Sequence, residues 1–271
     1  MTANEIKGEG RLRRLVLYSY CGLVFLFLIL PNFIVIPISF SPAIYLEFPP
    51  RGISFQWYQK YFSQPGWIAA TVTSFEVAIP VMILATTLGS LAAYGLVRGK
   101  YPGKNFVNSL ILFPMVIPSL VTAVAIYKLY SDLKIIGTVL GFVLAHTVLA
   151  IPFVVVIMTA SLRGIDMELE LAARSLGAGR LTTLRRVVFP LALPGLLSSA
   201  LFSFLVSFDE LMVALFISTP AISTLPKKLW DGIRTEINPT LAAVSSLLVV
   251  LSVLVIMGAY LAQRHFERRS K

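Results

Sequence analysis

The sequence predicts an all-α integral membrane protein with six transmembrane helices, and three observations carry that prediction. First, the 271 residues are 57% hydrophobic and only 13% charged, with a mean hydropathy of +0.83. A soluble domain carries about 25% charged residues to keep its surface wet. Second, six apolar runs reach the roughly 20 residues that a helix needs to cross a bilayer core. Third, the basic residues behind the formal net charge of +10 sit in short clusters between those runs. A nucleic-acid binder would carry them in patches or stripes among other polar residues. A soluble enzyme, a secreted disulfide scaffold and a disordered tail are excluded. The single cysteine, Cys21, lies in an apolar run and has no intrachain partner to oxidise with.

The predicted spans are Leu15–Phe40, Trp67–Val97, Phe106–Leu129, Ile135–Ala160, Leu191–Ile217 and Thr240–Leu261. The first is too long for the apolar core of a signal peptide. Its Leu30-Pro31-Asn32-Phe33 does not resemble a small-residue cleavage site either. Pro80, Pro114, Pro118 and Pro152 predict kinks in the second, third and fourth spans.

Orientation follows from the basic residues, which concentrate on the cytoplasmic side of membrane proteins. One face receives Lys7, Arg11, Arg13, Arg14, Arg98, Lys100, Lys104, Arg163, Arg174, Arg180, Arg185, Arg186, Arg264, Arg268, Arg269 and Lys271. The other receives Arg51, Lys60, Lys128, Lys134, Lys227, Lys228 and Arg234, so 16 of the 23 lie on one side. Both termini are therefore expected in the cytoplasm, which an even number of spans requires. Trp57, Trp67 and Trp230 fall on the outer side, where interfacial anchors are expected. The acids Glu47, Asp132, Asp231 and Glu236 are assigned to the same outer side. Glu76, Asp209 and Glu210 remain inside the spans, giving the membrane interior three formal negative charges.

The connection from Ser161 to Pro190 has its own pattern. Asp166 is a good N-cap, Glu168 and Glu170 suit the positive end of a helix dipole, and Gly177 fits the left-handed position that ends a helix. Leu169, Ala172, Ala173 and Leu176 follow the i, i+3, i+4, i+7 spacing of one apolar face. Such a face can enter a groove of another protein or lie on the lipid surface. A further helical turn, Leu181 to Val188, is expected to stop at Pro190.

Glu170-Leu-Ala-Ala-Arg-Ser-Leu-Gly177, nine further residues and Val187-Val-Phe-Pro190 resemble the EAA loop of binding-protein-dependent ABC importer permeases. Ala172, Ala173, Gly177 and Pro190 match that pattern in spacing. The position of the family's glutamate is Leu171 here, and the nearest acid is Glu170, one residue earlier. The resemblance spans about Trp67 to Leu261. It implies the type I ABC importer permease fold, with a coupling-helix loop between the fourth and fifth spans. It also implies that Glu170, Leu171, Ala172, Ala173, Ser175, Leu176, Gly177 and Pro190 dock on a cytoplasmic ATPase subunit. The chain would then divide into a cytoplasmic tail (1–14), a first transmembrane helix with its outer loop (15–66), a permease core (67–262, coupling loop 161–190) and a second cytoplasmic tail (263–271).

The implied partners are a second, homologous permease, two ATP-binding subunits, an external solute-binding protein, membrane lipid and a small-molecule substrate. Nucleic acid is not among them. The chain is expected to bind no cofactor itself, because it has no Gly-x4-Gly-Lys-Ser/Thr phosphate loop. ATP and magnesium would sit on the partner ATPase. The implied location is a bacterial inner membrane.

An ionisable group inside a span normally faces a cavity or a partner. Asp209 and Glu210 lie about 23 Å along the fifth span from Pro194, at roughly 1.5 Å per residue. On a continuous helix Asp209 would share a face with Phe202 and Phe216, and Glu210 with Ser207. Carboxylates beside aromatics suit an organic ammonium group. Alternatively, one acid caps a helix break or pairs with a partner subunit's cation. Glu76 lies four residues before Pro80, so it either lines the pathway or pairs within the bundle. His146 is expected to be a satisfied interior hydrogen-bonding group.

Ser207-Phe-Asp209-Glu210 and the outer stretch from Thr224 to Pro239 resemble permeases for spermidine and putrescine, in particular their C-type subunit. Other solutes of the family, such as aminoethylphosphonate, are the first alternative. An intramembrane enzyme is a remote one, since neither His-Glu-x-x-His nor Gly-x-Ser-x-Gly occurs.

Overall fold

The computed structural model describes residues 3–235 and 238–269, and the side chains of 13–235, 238–255, 257 and 258. Glu236 and Lys271, assigned above to the outer and inner faces, lie outside the described residues. Among the described residues every regular element is helical.

The first element, α1, runs Ala3–Ser39 with Pro31 and Pro37 inside it, and a short α2 covers Gln56–Ser63. Helix α3, Pro65–Arg98, begins at a proline, which suits a first helical turn because its missing N–H has no partner there anyway. Pro80 lies within α3 and cannot donate to the Glu76 carbonyl, yet the helix continues through it.

The third predicted span is not one rod. It is α4, Lys104–Val116, and α5, Ser119–Leu133, bent by 100° across Ile117 and Pro118. Proline disfavours helical geometry in the residue before it, and Ile117 is accordingly extended.

Helix α6, Val139–Arg163, starts four residues later than predicted. Gly137 takes a positive φ, and the Thr138 side chain then caps the helix by accepting from the Gly141 N–H at 3.0 Å. Helix α7 covers Met167–Ser175. A short α8, Arg180–Thr183, leads through a π-helical turn, Leu184–Val188, into α9, Phe189–Phe208. The expected stop at Pro190 does not occur. The Phe189 N–H reaches back five residues to the Leu184 carbonyl, and this wider turn accommodates the proline ring. The fifth predicted span is also interrupted, with α9 ending at Phe208 and α10 covering only Met212–Ile217. Helices α11, Leu225–Thr235, and α12, Pro239–Arg269, complete the chain.

Among the described residues, four helical stretches are long and apolar enough to cross a membrane: Arg13–Ser39, Pro65–Arg98, Val139–Arg163 and Arg180–Phe208. The bent α4–α5 pair makes a fifth if it counts as one span. The sixth predicted span falls on α12, whose described apolar part is Pro239–Val255.

The chain forms two compact units. The first comprises Met1–Ser63 and Gly232–Leu251. Its centre is aromatic, with Phe40 lying 5.4 Å from Phe55 and 5.1 Å from Tyr58, ring centre to ring centre. The Tyr58 hydroxyl bridges Ser39 at 2.6 Å and Ser246 at 2.7 Å. Trp57 is not a lipid-facing anchor, because it is buried and its indole donates to the Ser41 carbonyl at 2.8 Å.

The second unit comprises Gln64–Asp231 and Ser252–Lys271 and holds the large core. Helices α3, α6 and α9 pack on one another, and α6 buries Phe142, Val154, Val155 and Met158. Two glycines set the spacing. A methyl on Gly89 of α3 would lie 2.6 Å from the Val154 side chain, and one on Gly195 of α9 would lie 2.4 Å from Ser161 Oγ. Trp67, also expected as an anchor, is buried in this unit with the Lys228 ammonium 5.9 Å from its ring centre.

Gly89→Val is therefore expected to destabilise the detergent-purified protein by about 1–3 kcal/mol, read as a lower melting temperature. Gly95→Ala is the control, since its added methyl meets no atom within 4 Å and alanine is the better helix former. A Gly89→Val protein that melts with the wild type would contradict the close α3–α6 approach.

Candidate functional site

The two predicted polar regions, the buried acids and the 161–190 connection, both lie on the α3–α6–α9 framework. At the α9–α10 break the neighbouring acids separate. The Glu210 carboxylate is spent on the start of α10, where its Oε2 accepts from the Val213 N–H at 2.9 Å and the Ala214 N–H at 3.3 Å. This is the helix-break alternative left open above. His146, wholly buried on α6, closes the arrangement. Its Nδ1 lies 3.0 Å from Ser207 Oγ and its Nε2 lies 3.8 Å from Glu210 Oε2. Ser207 is thus buried against His146 rather than lining an open path.

Asp209 caps the C-terminal end of α9 and remains exposed. Because the backbone leaves helical register here, Asp209 and Phe216 do not share one continuous helix face. Phe216 packs near Tyr127, with ring centres 6.4 Å apart, and Phe202 near Phe153, at 5.2 Å.

Glu76 is exposed on α3, beside an open groove of about 700 Å³ lined by Val72, Phe75, Ile79, Pro80 and Val139. Its neighbour Phe75 lies 5.1 Å from Phe208 and 6.0 Å from Phe204, ring centre to ring centre. Phe208 immediately precedes Asp209. Glu76 thus shares a groove with Phe75, and Asp209 follows another ring of the same cluster in the sequence. Phe75 was not singled out in the sequence, because its partners lie on another helix. A second cavity of about 430 Å³, between α3, α6 and α9, contains no acid.

Within the 161–190 connection, α7 has the predicted start and stop. Asp166 accepts from the Glu168 N–H at 3.0 Å. At the far end the Gly177 N–H donates to Arg174 and the Ala178 N–H to Ala173, the paired bonds of a Schellman motif. Gly177 has a φ of +86°, which glycine adopts without strain. Leu169, Leu171, Ala172, Ser175 and Leu176 are exposed, Leu176 at 90%, while Ala173 is half-buried. Pro190 is exposed in the first turn of α9. Glu170, expected on the docking face, is instead turned inward, with only 6% of its surface exposed. Its Oε1 receives the Arg98 Nε–H at 2.7 Å, and its Oε2 the Tyr94 hydroxyl at 3.4 Å.

Residues 85–271 match the family described as binding-protein-dependent transport system inner membrane component. The chain belongs to that family. It is 32% identical to the spermidine/putrescine transport system permease protein PotC of Haemophilus influenzae over 249 residues, 91% of this chain and 95% of that protein. It is 29% identical to the putrescine transport system permease protein PotI of Escherichia coli strain K12, over 90% of each chain. Among solved structures, a chain of a bacterial alginate ABC transporter matches with a TM-score of 0.71 at 15% identity, covering 98% of this chain and 96% of that one. That likeness shows the shared fold. As a member of the family, the chain is a multi-pass membrane permease subunit of an ABC importer and not an enzyme.

In this permease Glu210 acts first as a cap, and its variants should separate accordingly. Glu210→Gln keeps an acceptor for the Val213 and Ala214 N–H groups and should melt within about 0.5 kcal/mol of the wild type. Glu210→Ala should lose about 0.5–2 kcal/mol. Equal melting of the two would contradict the capping role.

Proposed function

We propose that this permease subunit imports a small organic cation, a polyamine such as spermidine or putrescine, past Asp209 and Glu76. The observation that carries the reading is that two carboxylates stay exposed, Glu76 on a groove it shares with Phe75 and Asp209 next in sequence to Phe208 of the Phe75–Phe204–Phe208 cluster. A polyamine alternates ammonium groups with methylene runs. Carboxylates hold the former by charge-assisted hydrogen bonds, while aromatic faces accept both the cations and the methylenes. An anionic solute would be repelled by the same groups. The named substrates of the relatives above support the same choice.

Transport would be driven from outside the chain. We infer that α7 is a coupling helix whose exposed leucines and Ala172 enter a cleft of a cytoplasmic ATPase subunit, leaving ATP and magnesium on that partner. A second, homologous permease, a second ATPase subunit and a solute-binding protein would complete the assembly. Both termini would face the cytoplasm, in keeping with the basic-residue distribution.

The experiment is uptake of labelled spermidine by proteoliposomes containing the whole complex and its binding protein. Asp209→Asn and Glu76→Gln should each lower uptake about tenfold or more, the scale of one lost charge partner, with subunit ratios unchanged. Unchanged uptake in both variants removes these acids from the pathway. For the docking face, Gly177→Asp forces an L-residue to a φ of +86° and should strip ATPase subunits from the purified complex. Undiminished co-purification and uptake would reject α7 as the docking element.

A further inference from the structure

Successive residues on an α-helix are rotated by about 100°. Moving an acid by one position therefore changes the side it faces. Leu171, where the family pattern has glutamate, is 54% exposed on α7, whereas Glu170 is 6% exposed and faces α3. Its partner, Arg98, is the last residue of α3. The Arg98 guanidinium donates through Nε to Glu170 at 2.7 Å and through a terminal nitrogen to the Ile165 carbonyl at 2.9 Å. Arg98 thus grips both the approach to α7 and the helix itself. Tyr94, one turn earlier on α3, adds the contact to the second carboxylate oxygen.

This pair differs from the other Lys/Arg–carboxylate pairs among the described residues. Glu47–Arg51, Lys128–Asp132 and Lys227–Asp231 each join residues four apart. Arg98 and Glu170 lie 72 residues apart and join two elements, with side chains 12% and 8% exposed. A pair so sheltered from water keeps its Coulomb attraction, and removing one half leaves an uncompensated buried charge.

The forward connection from α7 is held without an ion pair among the described residues. It passes through Gly177, Ala178 and Gly179, and a methyl added at either glycine would meet no atom within 4 Å. Helix α7 also rests on α8 and the π-helical turn, but no ion pair among the described residues joins it to them.

We propose that Arg98 is a positioning residue that latches α7 to α3. A displacement imposed on α7 is then delivered through this ion pair to α3, the helix that carries Glu76, as well as along the chain into α9. The proposal rests on the reading of α7 as the coupling helix.

The test uses the complete transporter in proteoliposomes. Three quantities are read: ATPase subunits retained, ATP hydrolysed with loaded binding protein, and solute imported per ATP. Arg98→Glu and Glu170→Arg should each retain the ATPase subunits and hydrolyse ATP, with solute imported per ATP falling at least about tenfold. The double exchange R98E/E170R should restore at least about half of the wild-type ratio. An unchanged ratio in the single variants overturns the proposal. So does loss of ATPase subunits, which would make the pair part of the docking surface only, or an assembled double exchange without recovery. Should a single variant fail to insert, R98Q/E170Q leaves no buried charge. A lowered ratio in it supports the latch and an unchanged one overturns it. Leu176→Asp distinguishes the underlying reading: if that variant keeps its ATPase subunits and its uptake, α7 is not the coupling helix, whatever Arg98 does.

Discussion

The close approach of α6 to its two neighbours is the constraint on which the rest of the permease core depends. Between lipid-embedded helices, apolar side chains gain little from leaving one apolar environment for another, so association relies on backbones coming near enough to pack. Gly89 admits the Val154 side chain, and Gly195 admits Ser161. These contacts fix α3 and α9 against the same central helix. That spacing brings Phe75 of α3 to Phe204 and Phe208 of α9. Helix α3 also ends at Arg98, which meets the 161–190 connection. Packing on α6 thus positions both the Phe75–Phe204–Phe208 cluster and the Arg98–Glu170 pair.

Within that framework the polar residues divide according to what the backbone needs. A break inside an apolar helix frees N–H groups that lipid cannot satisfy. Glu210 satisfies two of them at the start of α10, while His146 and Ser207 pair across α6 and α9. Asp209, at the end of the preceding helix, has no such duty and stays exposed. Two adjacent carboxylates therefore end differently, one capping α10 and one left exposed. Glu170 and Leu171 divide in the same way on α7: the acid faces the protein and the apolar neighbour faces out.

Much of this was legible in the sequence, wherever a local rule suffices. Apolar run length marked the long helices, and the Asp166 cap and Gly177 stop bounded α7 to within a residue or two. Proline was harder to read. Ile117–Pro118 breaks its span because Ile117 must be extended, whereas Pro190 is absorbed by a π-helical turn that depends on five preceding residues. The helix-face assignment for Asp209 and Phe216 assumed a continuous fifth span, and the 209–211 break removed it. Phe75 required the α3–α9 register, which no single-helix pattern contains. Trp57 and Trp67 have the type and position of interfacial anchors, but both are buried, Trp57 on the Ser41 carbonyl and Trp67 beside the Lys228 ammonium.

The central proposal is that an organic cation passes through this permease, held by exposed carboxylates and nearby aromatic rings. The most direct measurement is ATP-dependent uptake by proteoliposomes holding the whole transporter and its binding protein. Putrescine and spermidine would be compared with aminoethylphosphonate and a neutral disaccharide at equal concentration. The account predicts accumulation of the two polyamines alone. Accumulation of aminoethylphosphonate or the disaccharide in preference to both polyamines would contradict it.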